Sequence, residues 1–113
     1  MDADDLRRTA LALPEAAESA HFGKADFRVR NRIFASLPDA SRGVVKLTPE
    51  EQRVLAEAEP GIFSAVTGGW GRKGWTNVDL DAIDAPTLQG ALRLAWRNAA
   101  PRSLVKRMDA GTP

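Results

Sequence analysis

Apolar and polar positions along this chain change period twice, and each change marks a change of element. Leu6, Ala10 and Leu13 recur at three to four residues behind Asp4 and Asp5, which predicts a short helix with acids at its dipole-positive start and Pro14 as its stop. From Ala16 to Leu47 the period falls toward two. Phe27 and Val29 alternate with Arg28 and Arg30, and Ile33-Phe34-Ala35-Ser36-Leu37 follows, so the Arg30-Asn31-Arg32 corner reads as a hairpin. A three-residue loop there pairs Phe27 and Val29 with Ala35 and Ile33 and leaves Arg28 and Phe34 on the other face. A two-residue loop at Asn31-Arg32 pairs Val29 with Phe34 instead, and both registers stand open.

Val44-Val45-Lys46-Leu47 continues the alternation, with Val45 and Leu47 pointing one way and Lys46 the other. Thr48-Pro49-Glu50-Glu51 then opens a second helix, with a threonine cap, proline in the first turn and Glu51 placed to reach back. Val54, Leu55 and Ala58 are its expected buried stripe, and Pro60-Gly61 ends it. Ile62 to Val66 is a short strand or an extended approach to the glycine-rich stretch Thr67-Gly68-Gly69-Trp70-Gly71-Arg72-Lys73-Gly74. In Trp75-Thr76-Asn77-Val78-Asp79-Leu80, strict alternation sets Thr76, Val78 and Leu80 on one face and Trp75 on the other, although a bulge would return Trp75 to the core. The last helix runs from about Pro86 to Ala99 with Leu88, Leu92, Ala95 and Trp96 apolar, and Pro101 closes it. The sum is a single α+β domain over residues 1–108 with a short tail at 109–113: an antiparallel sheet with N-terminal, middle and C-terminal helices mainly on one face.

Composition narrows the chemistry. A chain of 113 residues can bury about two-thirds of the surface its unfolded form exposes, so it needs no staple, and it has no cysteine for disulfide, thiolate or iron–sulfur chemistry. With one histidine, His21, it cannot build a two-histidine metal site, and no cofactor is expected. His21 with Ser19, Ser36 or Ser64 is a conceivable base and nucleophile, but no GxSxG elbow is present, so a non-catalytic protein is the expectation. The acidic start Met1-Asp2-Ala3-Asp4-Asp5 does not resemble a signal peptide, and no apolar run approaches the roughly 18 residues of a membrane span. A cytoplasmic monomer without membrane contact is expected.

Net charge is only +1, yet the charge is segregated. Residues 21–46 hold six cations against Asp26 and Asp39, and residues 93–108 hold five cations and no acid. Lys24, Arg28, Arg30 and Lys46 on the sheet, with Arg72 and Lys73 from the glycine stretch, form a candidate phosphate-binding face, and Trp70 or Trp75 offers a ring for stacking on a base. DNA is the partner this predicts. The glycines would serve either as an anion cradle or as a plain connector between elements. The alternative is a small anionic or aromatic ligand, or a protein partner, held at the same loop, with Trp70, Trp75, Phe34 and His21 as its contacts.

Leu13-Pro14-Glu15, His21-Phe22-Gly23-Lys24, Asp26-Phe27-Arg28-Val29, Ile33-Phe34-Ala35, Val45-Lys46-Leu47 with Pro49, and Trp75-Thr76-Asn77-Val78-Asp79-Leu80 together resemble the MmcQ/YjbR family. The match runs from about Leu6 to Leu104. The resemblance implies a compact frataxin-like (CyaY-like) α+β fold and the family's customary description as DNA-binding. Phe22, Gly23, Phe34, Lys46 and Trp75 match family positions, and no catalytic set comes with them. Iron does not follow from the frataxin likeness, because the acids are few and scattered where a hard cation needs converging oxygens.

Overall fold

The computed structural model describes residues 1–110; the tail expected at 109–113 therefore lies mostly outside the described residues. The elements run α1 (Ala3–Leu11), β1 (Ala16–His21), β2 (Lys24–Val29), β3 (Arg32–Asp39), β4 (Arg42–Lys46), α2 (Pro49–Ala58), β5 (Phe63–Ala65), α3 (Gly69–Arg72), β6 (Trp75–Asp79), α4 (Ala85–Ala99) and α5 (Arg102–Asp109). The fold is α+β, with six strands in the order β1-β2-β3-β4-β6-β5 and every neighbouring pair antiparallel. No helix among the described residues is long and apolar enough to cross a membrane.

Local chemistry accounts for the helix starts. Asp2 and Asp5 form a capping box on α1, and Thr48 and Glu51 form one on α2 with Pro49 in the first turn, as the sequence predicts. Asp84 caps α4 by accepting from the Thr87 N–H. α5, beyond Pro101, has no counterpart in the sequence reading; Leu104 buries its apolar side.

α1 and α4 lie across one face of the sheet and seal the core there. Leu6, Phe27, Phe34, Val45, Leu47, Val78, Leu80, Leu92 and Trp96 are fully buried, each removing apolar surface worth about 1.5–3 kcal/mol. The Trp96 indole N–H donates to the Pro14 carbonyl at 2.9 Å, so the largest buried ring leaves no polar atom unpaired. α2 packs beside β5 instead, and of the expected stripe Val54 and Ala58 are exposed and only Leu55 is partly buried. Glu51, Gln52, Leu55 and Ala56 are its partly buried residues, with Leu55 against the edge of the core and Gln52 facing the polar backbone of the glycine stretch. Gln52 Nε2 accordingly donates to the carbonyls of Gly71 and Trp75 and to Thr76 Oγ1.

Both hairpin registers considered for the Arg30 corner give way to a third. The turn is Arg30-Asn31, each at positive φ (49° and 66°), with Val29 opposite Arg32. Phe27 pairs with Ala35 and Arg28 with Ile33, so Phe34 is an extra residue bulged into β3. The bulge lets Phe34 and Ala35 both enter the core and puts Ile33 and Ser36 on the opposite face.

Candidate functional site

The uncovered face of the sheet carries the alternate residues of the same strands. Arg28 projects from β2, Ile33 and Ser36 from β3, Arg42, Val44 and Lys46 from β4, and Trp75 and Asn77 from β6. β4 and β6 pair so that Lys46 lies opposite Trp75, and the alternation expected for Trp75 holds: it is half-buried on this face while Thr76 and Val78 go to the core. The one-turn helix α3 then sets Trp70 edge-to-face against Trp75, with ring centroids 5.8 Å apart and planes at 70°. Trp70 is 62% exposed.

Between these rings and the β1–β2 hairpin lies a hollow of about 300 Å³ lined by His21, Ile33, Ser36, Pro38, Arg42, Val44, Val66, Trp70 and Trp75. A larger hollow of about 420 Å³ adjoins it near Arg42, between Asp39, Asp79 and Asp81. Two of its three acids are engaged in turns: Asp39 accepts from the Ser41 N–H and hydroxyl, and Asp79 accepts from the Asp81 N–H. Among the described residues no group of three His, Cys, Asp or Glu side chains could hold a metal ion.

At the hairpin end of the smaller hollow, Asp26 is a fully buried carboxylate with three bonds. It accepts from Arg28 Nε at 2.8 Å, from Arg28 Nη2 at 3.1 Å and from His21 Nδ1 at 2.7 Å. The Arg28 guanidinium, aided by His21, holds the Asp26 carboxyl below the usual carboxylate range against the opposing effect of burial. Arg28 is thereby neutralised, and its Nη1 donates to Asn31 Oδ1 at 3.2 Å. Arg30 is likewise gripped by both oxygens of Glu15, at 2.5 and 3.1 Å.

Other cations of the expected phosphate face have local partners as well. Lys24 Nζ donates to the Pro38 carbonyl at 2.9 Å. Lys46 Nζ donates to the Lys73 carbonyl at 2.5 Å and lies 5.7 Å from the Trp75 centroid; burial, then the Lys73 charge, lowers its pKa. Lys73 Nζ sits 5.7 Å from the Trp70 centroid. Arg72 makes no ion pair among the described residues. The C-terminal basic segment does not join this face: Arg93 and Arg97 ride on α4 in the helical layer, where Arg97 pairs with Asp109, and Arg107 of α5 pairs with Glu15 at 3.6 Å.

Of the four ligand contacts expected from sequence, His21, Trp70 and Trp75 meet at the hollow, and Phe34 does not. The bulge turns Phe34 under α4, where it has no exposed surface. The glycines serve close backbone approach. A Cβ on Gly71 would lie 1.8 Å from the Val66 carbonyl oxygen, and one on Gly74 (φ +107°) would lie 1.9 Å from that of Leu47. The N–H groups of Arg72, Lys73 and Gly74 donate to carbonyls within the same turn, as a connector between elements requires. Asp26, Ile33, Ser36, Pro38, Arg42, Val44 and Val66 were not singled out from sequence. Val44 was within reach, since it shares the parity of Lys46; Ile33 was hidden by the bulge, and nothing in the local pattern shows that Asp26 is buried and bonded to His21 five residues earlier.

Comparison with known proteins agrees with this architecture. None of the curated proteins matches the chain. The crystal structure of Deinococcus radiodurans protein DR2400, a DUF419 domain, superposes with a TM-score of 0.72 at 25% identity, covering 97% of this chain and 88% of that one. Residues 11–98, the whole sheet together with α2, α3 and nearly all of α4, match YjbR, and the chain belongs to the YjbR family.

Proposed function

We propose that this protein is a non-catalytic ligand-binding module whose open sheet face takes a small planar aromatic molecule. The observation that carries this reading is the pair Trp70 and Trp75, held edge-to-face beside a hollow that also contains Ile33, Pro38, Val44 and Val66. Small-molecule sites combine mostly apolar walls with a few placed polar groups, and His21, Ser36 and Arg42 are those groups here. At about 300 Å³ the space suits one bicyclic ring system. The YjbR family is not a known enzyme family, and the His21–Asp26 pair has no serine or threonine hydroxyl bonded to it among the described residues.

The DNA-binding reading that comes with the family draws on the same surface but keeps fewer cations. Arg28 and Arg30 are committed to Asp26 and Glu15, which leaves Arg72, Lys73 and the partly engaged Lys24 and Lys46 for phosphates. Counterion release from two to four contacts gives a log–log salt slope of only about −2 to −4.

A titration separates the two. Tryptophan fluorescence is followed while indole, quinoline or 2-naphthoate is added, and labelled duplex and single-stranded DNA are titrated in parallel at low and high salt. Saturable quenching by an aromatic compound, lost in Trp70→Ala, supports the proposal. No response to any aromatic compound, with salt-sensitive DNA binding, would replace it with the nucleic-acid reading.

A further inference from the structure

Among the polar groups of the hollow, His21 offers a ring nitrogen whose hydrogen-bonding character follows from the partner of the other, and it decides which aromatic ligands fit. Asp26 is ionised, so its oxygens only accept, and the partner at 2.7 Å, His21 Nδ1, must carry the proton. In the neutral imidazole the other nitrogen, Nε2, is then a bare lone pair. His21 lines the hollow, its side chain is 43% exposed, and Nε2 has no partner among the described residues.

Two features hold that ring in place. Asp26 is itself locked by Arg28 and has no exposed surface, so its position is not adjustable. On the other side Phe22 lies edge-on to the imidazole, with centroids 5.9 Å apart and planes at 78°. Phe22 occupies the first position of a two-residue turn at φ +50°, a conformation unfavourable for a bulky side chain, and is 96% exposed. A strained, solvent-facing phenylalanine contributes nothing to the core, and its contact with His21 is the aromatic packing it makes.

We infer that His21 Nε2 is the specificity-determining acceptor of the aromatic site, so that the ligand class is a planar heteroaromatic or phenol presenting an N–H or O–H donor. His21 touches the ligand; Asp26 and Phe22 are positioning residues that act through it. This inference rests on the binding reading above and sharpens it from aromatic to donor-bearing aromatic. The charged groups around the imidazole are Asp26 and Arg28 on β2, Lys24 opposite it across the β1–β2 pair, and Arg42 from β4 across the hollow. Of these only Asp26 bonds the ring.

The test compares ligands that differ in one proton, by calorimetry on the whole chain above the histidine titration range. Indole should bind about five-fold tighter than 1-methylindole or benzofuran, the increment of one ordinary hydrogen bond. His21→Phe should bring that ratio to about one while 1-methylindole still binds. Asp26→Asn lets the amide donate to Nδ1 and so favours the other tautomer, with the proton on Nε2. That variant should reverse the preference, binding quinoline, an acceptor, more tightly than indole. Nitrogen-15 shifts of the single histidine report the tautomer directly in both proteins, whether or not ligand is present. Equal affinity for indole and 1-methylindole in the native protein, or an Nε2–H tautomer in its free state, would overturn the inference and leave aromatic binding standing. Failure of every aromatic compound to bind would overturn both.

Discussion

The two faces of this sheet are built from the same strands and do opposite things with similar residues. On the covered face Trp96 is fully buried and its N–H is spent on the Pro14 carbonyl; on the open face Trp70 is 62% exposed and packs mainly on Trp75 and Lys73. The covered face has apolar partners for every apolar side chain. The open face places a histidine, backed by a buried carboxylate and its arginine, against a hollow with two tryptophans. What marks a surface as functional is therefore neither the count of aromatics nor that of cations, but whether each has been given a partner by the fold.

That contrast predicts unequal costs. Trp96→Ala should lower unfolding free energy by about 3–5 kcal/mol, through lost burial and the cavity left beneath α4. Trp70→Ala should cost less than about 1 kcal/mol, since it loses little beyond one aromatic contact. Urea denaturation of both variants measures the gap, and similar losses would mean that the open-face ring is structural after all.

Asp26 comes next, because among the described residues it is the one fully buried acid and its strand position belongs to the open face. Asp26→Asn should cost about 2–3 kcal/mol at neutral pH by weakening three charge-assisted bonds. The pH dependence has a definite sign. The folded carboxyl is depressed, so its contribution is fully present above the unfolded value of about 3.9 and is lost as pH falls through the lower folded value. Denaturation curves of the native protein and the variant should therefore converge in acid; a constant offset down through that range would contradict an ionised, paired Asp26.

The smallest effect has the opposite sign. Phe22→Asn converts the β1–β2 turn to Asn-Gly, the dipeptide best suited to two positive-φ residues, and should raise stability by about 0.5–1 kcal/mol. The same change should weaken binding of a donor-bearing aromatic by releasing the His21 ring. A variant that gains stability and keeps full affinity would remove Phe22 from the site.

Much of the covered face was legible in the sequence, because a period is a local property. Leu6 and Ala10, Val45 and Leu47, Val78 and Leu80, and Leu88, Leu92 and Trp96 all go where their spacing sends them. The open face was legible only in part. Trp75 followed from alternation, but the bulge at Phe34 is a register event between two strands, and no pattern within β3 announces it. The positive face has fewer free cations than the sequence suggests for a related reason: the pairing of Arg30 with Glu15 spans 15 residues, and Arg28 with Asp26 depends on which acids the strands bury. α5 was missed because Pro101, which stops α4, also starts it.

The most direct measurement is a nitrogen-15 correlation spectrum in which the three indole N–H signals are followed as indole is added. Binding at the open face predicts saturable shifts for Trp70 and Trp75, and for the His21 imidazole, with Trp96 unmoved beneath α4. Shifts that appear only with DNA, or that fall on Trp96 while the other two stay fixed, would contradict it.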